Sequence, residues 1–311
     1  AGGSIVRLVP SAGARRPTRG RGGKVNCFCC NLGVRMRIFV INLERITTRR
    51  KYIEQHVADL KATNVEFINA VDGKAMSGEE SNALHDKDWA DKLIRRPLAR
   101  TEIACTLSHL ECYKRILNEN LKGAIILEDD AKLSNNIHEI INGLEHSNLS
   151  DNSVLLFNWV QLISRKPALS LSERYLVHHT FGTVRHSHAY YVTANAAENL
   201  LQFHQPVKTH IDAWRHYVDQ GLISLFAIVP TIASVAPNHL ATSSIAGEVA
   251  SIRPYGCASQ PVIWKQKLKR ILLWDRFLRG HLSKPYHSLR RISYRLKLIW
   301  LGQKVQIQIN D

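Results

Sequence analysis

Ala124-Ile-Ile-Leu-Glu-Asp-Asp130 is the stretch whose reading decides the fold. Ala124 to Leu127 are apolar without alternation, which predicts a short strand covered on both faces, as in a parallel sheet flanked by helices. The strand stops at three consecutive carboxylates, Glu128, Asp129 and Asp130. Like-charge repulsion makes such a run costly to hold together unless something cationic neutralises it. Strand alternation predicts that Glu128 and Asp130 point to one side and Asp129 to the other. A pair of hard oxygen donors would then stand at the carboxyl end of a buried strand, where open α/β sheets bind their ligands. A strand running into a solvated acidic turn would look the same locally, so the rest of the chain has to decide.

Just upstream, Thr101 is the expected cap of a helix running to about Asn120. Ile103, Leu107, Leu110 and Leu117 make one apolar stripe, and Cys105, His109, Cys112 and Ile116 make another on the opposite side. A helix apolar on two sides is covered on both, which confines His109. Cys105, His109 and Cys112 have the spacing of a zinc set, set against a packed helix with a hydrogen-bonded histidine. Further upstream, Met36 to Leu43 (MRIFVINL) reads as a strand, followed by Glu44-Arg-Ile-Thr-Thr-Arg-Arg50 and a helix to about Leu60. A strand, a basic turn and a helix open a nucleotide-binding unit, in which Arg49 and Arg50 could meet a diphosphate. Asn64 to Val71 is a second strand ending in the turn Asp72-Gly73-Lys74, where Asp72 could contact a ribose hydroxyl. Residues 77–100 read as a loop or short helices.

Downstream, strands are expected at 154–160, 176–180, 188–192, 222–229 and 232–235, with a helix capped at Thr193. Strands alternating with helices mean an α/β fold with a mostly parallel sheet. Between them lies His210-Ile-Asp212-Ala-Trp214, where Asp212 is a candidate general base or third metal ligand, with an N-cap role as the plain alternative.

Composition narrows the class. The 311 residues are 45% hydrophobic and 22% charged, ordinary for a globular chain. The net charge of +16 resides at the ends. Residues 1–35 carry seven cations and no carboxylate, and residues 264–304 carry twelve cations against Asp275 alone, which leaves 36–263 near neutrality. A nucleic-acid reader carries its charge on the folded recognition surface, so no nucleic-acid partner is expected. Cys105 and Cys112 lie roughly 10 Å apart by helical rise, too far to bridge, and six cysteines in this length fit a reducing, cytosolic setting. Cys27-Phe-Cys-Cys30 lacks a second ligand pair at finger-like spacing. No run of about 20 apolar residues is present to span a bilayer.

Three regions are therefore expected: a disordered basic leader over 1–35, read as a gene-boundary artefact because Met36 opens the first strand, a catalytic domain over 36–250, and a basic amphipathic segment over 251–311. In the last of these, apolar and aromatic residues interleave with cations, as in a helix lying on an anionic membrane.

Six pieces, in this order, resemble glycosyltransferase family 25, the group of bacterial lipooligosaccharide galactosyltransferases and collagen galactosyltransferases. They are Val40-Ile-Asn-Leu43 with Arg49-Arg50, Ala70-Val-Asp-Gly-Lys74, Glu102-Ile-Ala-Cys-Thr-Leu-Ser-His109, Ile126-Leu-Glu-Asp-Asp130, Ala189-Tyr-Tyr-Val192, and Ile211-Asp212. The chain departs from the family in having Ala104 before Cys105, where a glycine is usual, and in a sparser basic turn after the first strand. The resemblance implies a GT-A-like fold and a UDP-hexose donor contacted by Asn42, Arg49, Arg50, Asp72 and His109. It also implies Mn²⁺ or Mg²⁺ on Glu128 and Asp130, and inverting transfer of a hexose, expected to be galactose, to a glycolipid oligosaccharide of lipopolysaccharide type, with Asp212 as base. The expected setting is the bacterial cytoplasm, peripheral on the inner face of the membrane. Two rival classes remain. A metal-dependent phosphotransferase or nuclease should show a Gly-rich phosphate loop or further acidic pairs, and a non-catalytic membrane-surface module would leave the acidic run without a role.

Overall fold

Alternate residues of the first strand enter two different cores. Ile38 and Val40 pack on one side of the sheet, whereas Phe39 and Ile41 pack on the other, and all four are buried. The computed structural model describes residues 36–236 apart from 95 and 183, together with 245, 248, 249 and the backbone of 307–309. The expectations for the leader, and for the tail except that last strand, lie outside the described residues.

In chain order the elements are β1 (Arg37–Asn42), α1 (Thr47–Asp59), β2 (Val65–Asn69), α2 (Gly78–Leu84), α3 (Lys87–Ile94), α4 (Arg100–Asn118), β3 (Gly123–Glu128), β4 (Ala131–Leu133) and α5 (Ile137–Glu145). They continue with β5 (Ser153–Leu156), β6 (Leu162–Ser164), β7 (Leu169–Ser170), β8 (Leu176–His179), β9 (Ala189–Thr193), α6 (Ala194–Phe203), α7 (Trp214–Asp219), β10 (Ser224–Val229), β11 (Ala233–Val235) and β12 (Ile307–Ile309). Eight strands form one sheet in the order β2-β1-β3-β9-β5-β10-β8-β7. β1 lies parallel to both β2 and β3, and β5 lies parallel to β10. β9 runs backwards between β3 and β5, and β8 runs backwards beside β10. The fold is a GT-A-like α/β sheet, mostly of one strand direction, with helices on both faces. Two small ladders, β4 with β11 and β6 with β12, lie outside the main sheet.

The helices divide by face. Leu110, Cys112, Tyr113 and Ile116 of α4, with Ala196, Ala197 and Leu200 of α6 and Trp214 and Tyr217 of α7, cover the face carrying Phe39, Ala124, Ile126 and Tyr190. Ile53 and Val57 of α1, with Ile137, Ile140 and Leu144 of α5, cover the face carrying Ile38, Ile125 and Leu127. Each fully buried aliphatic chain contributes about 1.5–3 kcal/mol relative to exposure, so β1, β3, β5 and β9, buried on both faces, are strongly specified strands. Among the described residues, no helix is long and apolar enough to cross a membrane.

α4 begins two residues earlier than its sequence suggests, with Ala99 rather than Thr101 at the N-cap and no side-chain cap there. Acidic groups from elsewhere take over. Glu102 accepts from the Ala99 amide at 2.9 Å, and Glu248 accepts from the Arg100 and Thr101 amides at 3.2 Å each. Carboxylates at this end complete the orphan amides and suit the positive end of the helix dipole. Gly73 fits against the same turn: a Cβ there would come within 2.6 Å of Thr101 Cα, so the loop after β2 packs directly on the start of α4.

Candidate active site

β1, β2 and β3 all point their carboxyl ends at one pocket, whose wall includes Arg45 and Arg49 after β1, Asp72 after β2, Glu128 and Asp129 at the end of β3, and Cys105, Ser108 and His109 of α4. This is the rim where open α/β sheets bind ligands.

The pleat explains how the acidic run is distributed. Glu128, the last residue of β3, shares a face with Ala124 and Ile126, the face under α4, and so meets His109. Asp129 turns toward α1, where Arg49 Nη1 donates to it at 2.8 Å and Asn42 Nδ2 donates at 2.7 Å. Alternation would return Asp130 to the side of Glu128. β3, however, ends at Glu128 and Asp129–Asp130 is a turn, in which Arg49 Nη2 donates to Asp130 at 3.2 Å while Glu128 remains the strongest charge acting on it. The same guanidinium thus clamps Asp129 and Asp130, and Glu128 answers to α4.

Charge balance at this turn is incomplete. Two carboxylates, Asp129 and Asp130, share Arg49, Glu128 adds a third negative charge beside them, and Asp130 Oδ1 is buried without a hydrogen-bond partner. Burial, reinforced by the charge of Glu128, pushes the Asp130 carboxyl up to about 7. Burial also lifts Asp129, against the pull of Arg49 and Asn42. Burial opposes ionisation of Glu128 too, but contact with His109 and a 2.7 Å hydrogen bond from the Ser187 hydroxyl hold it below its ordinary value. Hard oxygen donors, an orphaned carboxylate oxygen and excess negative charge fit an oxophilic divalent cation.

His109 is fully buried, with Nδ1 2.8 Å from the Tyr190 hydroxyl, which lies 2.8 Å from that of Tyr113. Its Nε2 is 3.4 Å from Glu128 Oε1, near enough for charge attraction but without hydrogen-bond alignment. Burial first, then the charges of Glu128, Asp212 and Asp130, push the Cys105 thiol well up, so it is no thiolate nucleophile at neutral pH. Cys112 faces the core instead, its thiol 3.6 Å from the Ser108 carbonyl.

A second constellation surrounds Asp212. Its Oδ1 lies 2.5 Å from His210 Nδ1, and its Oδ2 accepts from the His186 amide at 3.0 Å. Although burial opposes ionisation, His210 and the His186 amide hold the carboxyl down at about 2. The N-cap reading of Asp212 is excluded: α7 has Ala213 at its N-cap and no side-chain cap. Residues 186–188 join the two constellations, because the His186 amide serves Asp212, the Ser187 hydroxyl serves Glu128, and the His188 carbonyl accepts from the Glu128 amide at 2.9 Å.

Of the expected donor contacts, Arg49, Asp72 and His109 line the pocket. Asn42 lies behind it, buried and supporting Asp129. Asp72 is engaged by Arg45, which holds its carboxyl below the usual range. Arg50 is on the far side of α1's first turn: its guanidinium stacks on Phe67 at 3.6 Å and pairs with Glu54 at 2.5 Å, so it is no part of the pocket wall. Helical geometry sends neighbours i and i+1 about 100° apart, and only Arg49 faces the acidic turn.

A family model described as glycosyltransferase family 25 (LPS biosynthesis protein) matches residues 36–215. The chain belongs to glycosyltransferase family 25. Its similarity to individual members is local. It is 37% identical over 98 residues to a glycosyltransferase 25 family member of Anopheles gambiae and 34% identical over 98 residues to procollagen galactosyltransferase 2 of Homo sapiens. It is 33% identical over 103 residues to procollagen galactosyltransferase 1 of Danio rerio. Each match takes in 30% of this chain and 16% of the relative. The residues around these constellations to which sequence reasoning gave no role are Arg45, His186, Ser187, His188 and His210. Arg45 had a signal in the basic turn after β1, whereas the 186–188 segment acquires its place only through the reversed direction of β9.

Proposed function

We propose that this family-25 chain transfers a hexose, specifically galactose from a UDP-galactose donor, to a hydroxyl of a lipooligosaccharide or lipopolysaccharide glycan, with inversion and with help from Mn²⁺ or Mg²⁺. The observation that carries the reading is the incompletely neutralised acidic turn, facing a pocket with basic side chains at the carboxyl ends of three parallel strands. Glu128 and Asp130 would hold the cation, which when bound supplies positive charge to the departing diphosphate. Arg49 fixes the turn, and Arg45 paired with Asp72 stands where a ribose or diphosphate would lie.

A proton must leave the acceptor hydroxyl as it attacks. Asp212, held near 2 with both oxygens engaged, is a poor base at neutral pH, so we assign it to orienting His210. Its contact at Nδ1 fixes the ring and leaves Nε2 as the proton acceptor. The acceptor class follows the family description, and the procollagen galactosyltransferases among the relatives make procollagen the alternative acceptor to test. For the tail we propose attachment to an anionic membrane on the cytoplasmic side, supported by the cations of residues 264–304, each adding about 1 kcal/mol near such a surface. Salt-sensitive sedimentation with anionic liposomes that survives deletion of 264–311 would reject it.

The function is tested by incubating the chain with a panel of UDP-hexoses, both acceptor classes and Mn²⁺ or a chelator. UDP release that needs Mn²⁺, is greatest with UDP-galactose and vanishes in Asp130→Asn is expected. Chelator-resistant transfer by Asp130→Asn would end the metal reading, and no consumption of any UDP-hexose would end the transfer reading.

A further inference from the structure

We propose that Cys105, His109 and Glu128 form a second metal site at the floor of the pocket, one that takes a thiophilic divalent ion of the Zn²⁺ type and shares Glu128 with the oxophilic pair. Cys105 and His109 stand four residues apart on one face of α4, and Glu128 ends β3 beneath them. A sulfur, an imidazole nitrogen and a carboxylate oxygen from the three all lie within 4.8 Å of one another.

The histidine is already arranged as a ligand. Its ring is fully buried, Nδ1 is engaged by the Tyr190 hydroxyl, itself backed by Tyr113, and Nε2 has no hydrogen-bond partner. With Nε2 on a metal, Nδ1–H donates to Tyr190 and Tyr190 donates to Tyr113, the outer-shell pattern that fixes the tautomer of metal-bound histidines. The 3.4 Å separation of Nε2 from Glu128 Oε1 is about the edge of a tetrahedron with bonds of roughly 2.0–2.1 Å. The thiol, within 4.8 Å of both other donors, has to close in by no more than about 1.3 Å to reach the S–N and S–O separations of a zinc tetrahedron. The Ser187 hydroxyl donates to that same Oε1 at 2.7 Å and fixes the carboxylate there.

Sulfur, nitrogen and oxygen donors together favour Zn²⁺ or Co²⁺ over Mn²⁺ or Mg²⁺. Binding replaces the thiol proton, which passes to water, so thiolate and carboxylate balance the ion's two charges. Three protein ligands leave the fourth position open to the pocket, which these same residues line. Cys112 cannot complete the set, since it faces the core. Sharing Glu128 makes the two ions competitors, a consequence that rests on the donor reading above; the site itself does not.

The test uses the full chain carrying Cys27→Ser, Cys29→Ser, Cys30→Ser and Cys257→Ser, stripped of metal and titrated with Co²⁺. A thiolate-to-cobalt charge-transfer band saturating at one equivalent and displaced by Zn²⁺ is expected. It should survive Cys112→Ser, disappear in Cys105→Ser, and require at least tenfold more Co²⁺ in His109→Gln and about tenfold more in Tyr190→Phe. X-ray absorption of the zinc-loaded chain, one sulfur with nitrogen and oxygen neighbours expected, keeps the test decisive should Cys105→Ser fail to fold. A sulfur-free shell, or a band that persists in Cys105→Ser, overturns the proposal whatever the transfer assay shows.

Discussion

The carboxylates after β3 and the carboxylate after α6 are all at least partly buried, yet they end in opposite electrostatic states. Asp212 has a partner on each oxygen and is held near 2, whereas Asp130 keeps an orphan oxygen beside other carboxylates and is pushed to about 7. The difference is what the proposed function uses in giving the two groups separate roles, cation ligand for Asp130 and positioning group for Asp212, which their residue types alone do not.

The most damaging way to break this contrast is Asp130→Asn, which keeps an acceptor for Arg49 but removes the charge. Transfer should fall by about 10³-fold or more, roughly 4 kcal/mol in the barrier. The melting temperature of the metal-free protein should hold or rise, because repulsion with Glu128 is relieved. Arg49→Met attacks the other half of the balance by leaving Asp129 buried with Asn42 alone. Breaking a buried pair from one side costs about 3–5 kcal/mol, which should appear as a melting point lower by ~10 °C in calorimetry.

Asp212→Asn should cost about 10²-fold in kcat while Mn²⁺-dependent donor binding, measured by calorimetry, is unchanged. His210→Gln should cost as much, and the double variant little more, since the two act as a unit. Weakened donor binding in Asp212→Asn would instead make it a ligand. The smallest effect sharpens the comparison most. Asp130 has a folded value above the ordinary ~3.9 of an unfolded aspartate, so its stabilisation is present at low pH and lost as pH rises through about 7. Asp212 lies below that reference, so its contribution is present above about 4 and lost as pH falls toward 2. Melting scans of the metal-free protein should lose the neutral-side slope in Asp130→Asn and the acid-side slope in Asp212→Asn, with Mn²⁺ cancelling the first alone.

Much of this was readable in the sequence where a residue's environment is set by its own element. The apolar run 124–127 predicted a strand covered on both faces, and the two stripes of α4 predicted a confined His109; both hold. That one guanidinium, Arg49, would hold both Asp129 and Asp130 was not legible, because alternation presumes that the strand continues and it stops at Glu128. Arg50 was grouped with Arg49 by adjacency in sequence, although a helix separates such neighbours. The His210–Asp212 pair, the 186–188 bridge and the Glu248 cap depend on chain segments meeting from far apart, and no local pattern encodes such meetings.

β9 carries a consequence for the order in which the protein matures. Because it lies antiparallel between β3 and β5, Leu127 meets Ala189, 62 positions later. Such distant pairing slows folding through the loop entropy it must overcome. A chain emerging from the ribosome can build β1, α1 and β2 early, yet the acidic turn stays without the Ser187 hydroxyl and the His188 carbonyl that hold Glu128 until β9 arrives. Catalytic competence should therefore emerge in the last folding step, and a fragment ending before β9 should carry the acidic motif without being able to use it.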